Sequence, residues 1–180
     1  NYNCYKKYRT YINKMKKRVR NKTPIQGQYN VAKEGSGDMY AKGALFFHTL
    51  KYQINKPELW SGVLKEMNQT FAKKTIDYQA VLSFFNTKTN KSWDDLFSAY
   101  LQYPSIPKIR VSKTPFNETI QEYNLILEHP RPNLKFRIYY TIDGKEQQGM
   151  LSNGVEYKLR IPKTSKFELN EEKGYFKLVK

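Results

Sequence analysis

The side chains that could do chemistry are few and scattered. Two histidines, His48 and His129, and one cysteine, Cys4, are the soft ligands and nucleophiles of a 180-residue chain. A zinc hydrolase needs three protein ligands around an open coordination position, and no H-E-x-x-H occurs. His48 falls in a helical pattern and His129 precedes Pro130 near a strand end. Both read as ordinary surface or half-buried histidines, and the residues of this chain supply no metal site. No G-x-S-x-G offers a serine nucleophile, and no P-loop offers a phosphate cradle. Cys4 has no histidine nearby in sequence, and a lone cysteine cannot close an intramolecular disulfide. Asn21, Asn68, Asn90 and Asn117 head glycosylation sequons, which matter only in a secreted protein of a glycosylating source. That leaves Tyr40, which follows Glu34-Gly35-Ser36-Gly37-Asp38; taken alone, it is a half-buried tyrosine at a helix start.

The elements that must position these residues change character near residue 105. Before it, apolar residues recur at helical spacing; after it, they alternate as in strands. Residues 2–20 place Tyr2, Tyr5, Tyr8, Ile12, Met15 and Val19 on one stripe among lysines and arginines, an amphipathic helix broken by Pro24 and Gly27. A polar loop over 21–38 ends in Asp38, whose carboxylate is placed to cap the next helix. That helix, about 39–54, has a small-residue start at Gly43 and Ala44 and an apolar body. Further helices are expected over about 57–72, 77–87 and 93–103, with Ser92 capping the last. Strand alternation runs through Tyr123–Leu127, Leu134–Ile142 and Val155–Ile161, then Phe167 with Leu169 and Phe176 with Leu178. Asp143-Gly144 and Asn153-Gly154 read as two-residue hairpin turns. The expected fold class is α+β, with a helical part over 1–106 and a small antiparallel β-sandwich over 107–180.

Composition narrows the function classes. Fifteen tyrosines and ten phenylalanines build an aromatic core and exclude a disordered chain. No apolar run is long enough to span a bilayer, and no signal peptide is visible. The chain begins with Asn1 rather than Met, as a cut chain would. The net charge of +16 attracts anionic partners: nucleic acid, anionic lipid or an acidic domain. A basic binding module is therefore the alternative reading, either a nucleic-acid binder or a protein-interaction scaffold. Against nucleic acid, the tyrosines of residues 2–20 fall on one stripe and the charges elsewhere, the pattern of a core-facing helix with a solvated basic face.

One stretch carries more. Tyr40-Ala41-Lys42-Gly43-Ala44 resembles the segment of aminopeptidase N-like gluzincins in which a loop ends in a tyrosine, followed shortly by Lys-Gly-Ala or Lys-Gly-Gly. The likeness continues in order through Leu50-Lys51, Trp60, Phe71-Ala-Lys-Lys-Thr75, the helix beginning at Asp77, and Asp95-Leu-Phe-Ser-Ala-Tyr-Leu101 with Pro107 beyond. Upstream, Pro24-Ile-Gln-Gly27 is similar to a Pro-Ile-x-Gly loop of bacterial members. The resemblance covers nearly all of residues 20–112 and is weaker over the strands.

It implies that the helical part is the C-terminal half of a thermolysin-like catalytic domain, with a bracing β-domain after it. It implies a hydrolase that removes N-terminal residues from peptides with one zinc ion, whose ligands and substrate-amine motif lie upstream of residue 1. The matching catalytic residue is Tyr40, whose hydroxyl would stabilise the tetrahedral oxyanion. Gly35, Ser36 and Gly37 are the candidate substrate-loop residues, since glycines let a loop pass close to substrate. Gly43 and Ala44 would let the helix approach its neighbours closely, and Lys42 would make a salt bridge or cap near the helix start. Peptide would be engaged through the missing N-terminal part, and the bacterial likeness favours a periplasmic or secreted location. Apolar surface left bare by that missing part would promote self-association. The purified chain is expected to bind no catalytic zinc and to turn over no aminopeptidase substrate; metal analysis and a chromogenic amino-acid amide assay check this, and stoichiometric zinc or turnover would overturn it.

Overall fold

Among the described residues, five helices precede seven strands. They are α1 (Tyr2–Arg18), α2 (Met39–Ile54), α3 (Pro57–Phe71), α4 (Tyr78–Thr89), α5 (Asp94–Leu101), β1 (Lys108–Pro115), β2 (Ile120–Glu128), β3 (Lys135–Ile142), β4 (Lys145–Ser152), β5 (Glu156–Pro162), β6 (Phe167–Leu169) and β7 (Lys177–Val179). The computed structural model describes residues 2–27 and 37–179, with side chains from Lys6 onward.

The helices obey local chemistry with three exceptions. On α1, Ile12 and Met15 are buried and Tyr8 and Val19 pack beside them, as the stripe requires, while Tyr2 and Tyr5 lie outside the described side chains. The helix stops at Arg18, short of residue 20, because the Arg20 and Asn21 N–H groups turn away to the Asp38 carboxylate. Asp38 consequently does not cap α2 with its side chain. Ser92 does not cap α5 either: its hydroxyl donates to Asp94 Oδ2 at 2.6 Å, and the Asn86 side chain holds the Trp93 N–H at 2.8 Å. Asp77, by contrast, caps α4 by accepting from the Ala80 N–H at 2.7 Å. Asn55 and Asn90 end α2 and α4 in the left-handed region, with φ of 55° and 50°. Phe46, Phe85, Phe97 and Tyr100 form the aromatic centre of this layer, Phe46 and Phe97 meeting edge-to-face at 4.7 Å.

The strands form two small sheets, ordered β5-β2-β1-β7 and β4-β3-β6. Leu125, Leu127, Phe136, Ile138 and Leu151 point inward and share one core with the helices. The pairing is mostly antiparallel, but β1 and β7 run parallel, so the expectation of a purely antiparallel sandwich is corrected. β1 and β4 went unassigned in the sequence because each carries a short apolar signal in a polar segment: Ile109 and Val111 in one, Met150 and Leu151 in the other. Asp143-Gly144 is the expected hairpin turn, with φ of 50° and 77°, joining β3 to β4. Asn153-Gly154 is not a hairpin turn. It carries the chain from one sheet to the other, with the Gly154 N–H on the Leu127 carbonyl at 2.8 Å and the Asn153 side chain bonded to both the N–H and the carbonyl of His129.

His48 joins three segments. The Tyr8 hydroxyl donates to its Nδ1 at 2.8 Å, and its Nε2–H donates to the Glu172 carbonyl at 2.8 Å. Burial, with the Lys16 and Lys51 charges adding, pushes its pKa from 6.5 down to about 4, against the opposing Glu172 bond. The unfolded chain therefore takes up this proton first as pH falls. The stability His48 provides is complete above pH 6.5 and drains away between 6.5 and about 4. Urea unfolding at both ends of that window should show the native chain losing about 2–3 kcal/mol more than a His48→Gln variant; parallel losses would refute this account of His48.

Candidate functional site

Tyr40 sits in the first turn of α2, and two buried charges fix that turn. Asp38 is buried, and its carboxylate accepts three hydrogen bonds, from the Arg20 N–H at 2.9 and 3.1 Å and the Asn21 N–H at 2.6 Å. The chain after α1 is thereby stapled to the start of α2. Four residues on, Lys42 is wholly buried. Its Nζ donates to the Tyr103 and Pro104 carbonyls at 2.8 and 2.9 Å, just past the end of α5. Lys42 thus closes the C-terminal end of α5, where a cation also complements the helix dipole. The expectation of a salt bridge or cap near its own helix start is corrected, since Nζ bonds carbonyls beyond α5 instead. Burial pushes its pKa down to about 8, and the Asp38 charge opposes the shift.

Between these anchors the Tyr40 side chain stands clear, 81% exposed, and the half-buried tyrosine expected from the sequence alone is not found. At the turn before it, Arg18, Arg20, Lys22, Thr23, Gly37 and Asp38 line a cleft of about 540 Å³. Gly37 belongs to the turn before α2, and a Cβ there would meet nothing within 4 Å. Gly35 and Ser36, the other two loop candidates, lie outside the described residues. A Cβ on Gly43 would also meet nothing within 4 Å, so Gly43 does not serve close helix approach. It lines instead an apolar groove of about 310 Å³ with Ile25, Phe46, Phe47, Ile76 and Val81. Three residues apart, Tyr40 and Gly43 fall on one side of α2; the basic cleft includes the turn before Tyr40, and the apolar groove includes Gly43.

The histidines do not converge. His48 is held as described above. His129 faces the Tyr103 ring, accepts from the Arg131 N–H at 3.0 Å through Nδ1, and is pushed down in pKa first by burial. Among the described residues no three of His, Cys, Asp and Glu come together as a metal site would require. No helix among them is long and apolar enough to cross a membrane.

No family model matches this chain, and no curated protein matches it in sequence. Among solved structures it is similar to a Legionella pneumophila aminopeptidase A determined in complex with aspartic acid. The identity is 12% and the TM-score 0.72, with 91% of this chain and 20% of that chain covered. The chain has an aminopeptidase-like fold. At this identity the likeness concerns fold alone, and the aminopeptidase-like part described here spans about a fifth of that neighbour's length.

Sequence reasoning singled out Tyr40 and named Asp38 and Lys42, but gave both of these the wrong partners. One signal was present: Lys42 is the lone charge in Met39–Phe47, an otherwise apolar helical run, where a lysine reaches polar partners or destabilises the core. Replacing Asp38 by Ala strands the Arg20 and Asn21 N–H groups and should cost about 2–4 kcal/mol. Denaturant unfolding checks this, and a change under about 0.5 kcal/mol, the scale of an ordinary surface substitution, would show that the staple does not matter.

Proposed function

We propose that this chain is the C-terminal portion of a zinc-dependent aminopeptidase of the gluzincin kind, which removes N-terminal residues from peptides. In this reading residues 1–106 complete a thermolysin-like catalytic domain and residues 107–180 brace it. The observation that carries the reading is Tyr40: an exposed phenol on the first turn of a helix anchored at Asp38 and Lys42, within an aminopeptidase-like fold. The ordered sequence resemblance over residues 20–112 supports it.

The described residues do not fit a zinc site, since both histidines are committed to backbone and side-chain partners. Zinc, held by residues outside this chain, would supply Lewis-acid chemistry in the whole enzyme. The contribution of this chain is a hydrogen bond. As the scissile carbonyl becomes tetrahedral its oxygen gains negative charge, and a preplaced O–H donor stabilises that charge more than it stabilises the ground-state carbonyl. Asp38 and Lys42 keep the donor in place without touching substrate; they are positioning residues. The bare apolar face around Gly43 and Phe47 is consistent with a further part of the polypeptide packing there.

In the full-length protein carrying its zinc, Tyr40→Phe should lower kcat about 10²- to 10³-fold while zinc content stays unchanged. A near-native rate in stopped-time peptide hydrolysis would remove Tyr40 from the reaction.

A further inference from the structure

A second cleft, of about 690 Å³, lies far along the chain from Tyr40, between the α4–α5 connection and the outer face of β3 and β4. In the antiparallel register Lys135 faces Ser152 and Arg137 faces Met150, so Lys135 and Arg137 emerge on the same side of the sheet. Lys91 approaches from the helical side, its Nζ 4.4 Å from the centre of the Trp93 ring. Two cations, Lys91 and Lys135, therefore line the cleft, and the Arg137 charge lies close enough to act on Lys91. Partial burial, and then the Arg137 and Lys135 charges, hold the Lys91 amine below the ordinary lysine range. Among the described residues none of the three takes part in an ion pair. The carboxylate that lines the cleft, Asp95, is bound instead to Arg131 at 2.6 Å. Arg137 spends one nitrogen on Gln148, while its buried Nε finds no partner among the described residues.

Uncompensated like charges around a concave surface are costly unless an anion fills it. The rim adds a second requirement: Met150 and Val155 are 38% and 58% exposed there, so the occupant also offers apolar contact. We infer that this cleft docks an acidic peptide segment of a partner protein, its carboxylates on Lys91 and Lys135 and an apolar side chain against Met150 and Val155. A second copy of this chain fits poorly, since both copies carry +16. Single-stranded nucleic acid fits less well than peptide, because the Trp93 ring is buried, with Lys91 over its face, and offers no open stacking platform.

The test uses the full 180-residue chain and a fluorescein-labelled octapeptide of alternating glutamate and leucine, read by fluorescence anisotropy at physiological ionic strength. The paired substitution Lys91→Glu and Lys135→Glu should weaken binding about tenfold or more, as expected for losing two partly exposed ion pairs. Lys135 is exposed and Lys91 is covered only in part, so the fold should survive, and circular dichroism verifies it. A variant with the same charge change on exposed sites elsewhere, Lys65→Glu with Lys74→Glu, should retain binding. In the unaltered chain the peptide should slow amide exchange over residues 91–96 and 132–137, a readout that needs no variant. Equal weakening in both variants would show attraction to net charge alone and overturn the site. So would equal binding of a glutamine–leucine peptide, protection confined to other segments, or preferential protection of this cleft by an oligothymidine of matched charge.

Discussion

Helix α2 carries four buried polar side chains, Lys42, His48, Thr49 and Gln53, and the rest of the structure is arranged to satisfy them. A helix uses its own backbone groups internally, so partners for such side chains come largely from other segments. Lys42 takes the carbonyls beyond α5. His48 takes Tyr8 of α1 and the Glu172 carbonyl. Thr49 accepts the Tyr175 N–H at 2.9 Å while donating to Leu45. Gln53 bonds both the N–H and the carbonyl of Arg137 on β3, at 2.7 and 2.9 Å. Hydrophobic contact alone would tolerate a slide along the helix. These bonds do not, because each one left unmade costs about 1–3 kcal/mol and a shift of one residue would break them together.

The Gln53 contact also solves a problem created by the strands. β3 pairs with β4 along its whole length, but β6 covers its other side only over Tyr140–Ile142. At Arg137 that side would expose an unpaired N–H and carbonyl, the hazard of any edge strand. A glutamine amide presents one donor and one acceptor, which is what one bare residue of strand requires. Tyr139 repeats the tie two residues on, its hydroxyl donating to the Tyr52 carbonyl at 2.7 Å. The helical layer and the sheet are thus joined in both directions, a side chain of α2 on the backbone of β3 and a side chain of β3 on the backbone of α2.

Much of this was legible in the sequence, and the failures have physical causes. Periodicity located all five helices and the strands with strong alternation, because those elements bury one face. It missed β1 and β4, whose outer residues are polar and whose pairing is set by distant partners. Asp38 stands out in the sequence, but as a helix cap. A carboxylate before a helix has local N–H groups in reach, yet here the Arg20 and Asn21 N–H groups, brought by the turn after α1, win the competition. Asn153-Gly154 has the composition of a tight hairpin, and only the pairing of β5 with β2 decides that the chain crosses between sheets there. At the candidate site, the identity of Tyr40 was readable from its neighbours in sequence, whereas its anchors depended on contacts between separate segments, Asp38 with Asn21 and, more than sixty residues apart, Lys42 with Pro104.

The same anchors explain why a basic surface and an oxyanion-stabilising phenol belong together in the proposed reading. A side chain in the first turn of α2 lies at the positive end of the helix dipole, and the adjoining cleft adds Arg18, Arg20 and Lys22. A neutral donor placed in that field favours the appearance of negative charge nearby before any atom has moved. Were the turn loose, a developing oxyanion would have to order it, and the ordering entropy would cancel part of the gain. With the Asp38 carboxylate bonded to the turn after α1 and Lys42 locked under α5, that ordering is complete beforehand. What the phenol still lacks is a dry surround, since an exposed hydroxyl competes with water for the same oxyanion. The apolar groove one turn along the same face, open around Gly43, is where a covering segment would exclude that water and turn a solvated tyrosine into an effective donor.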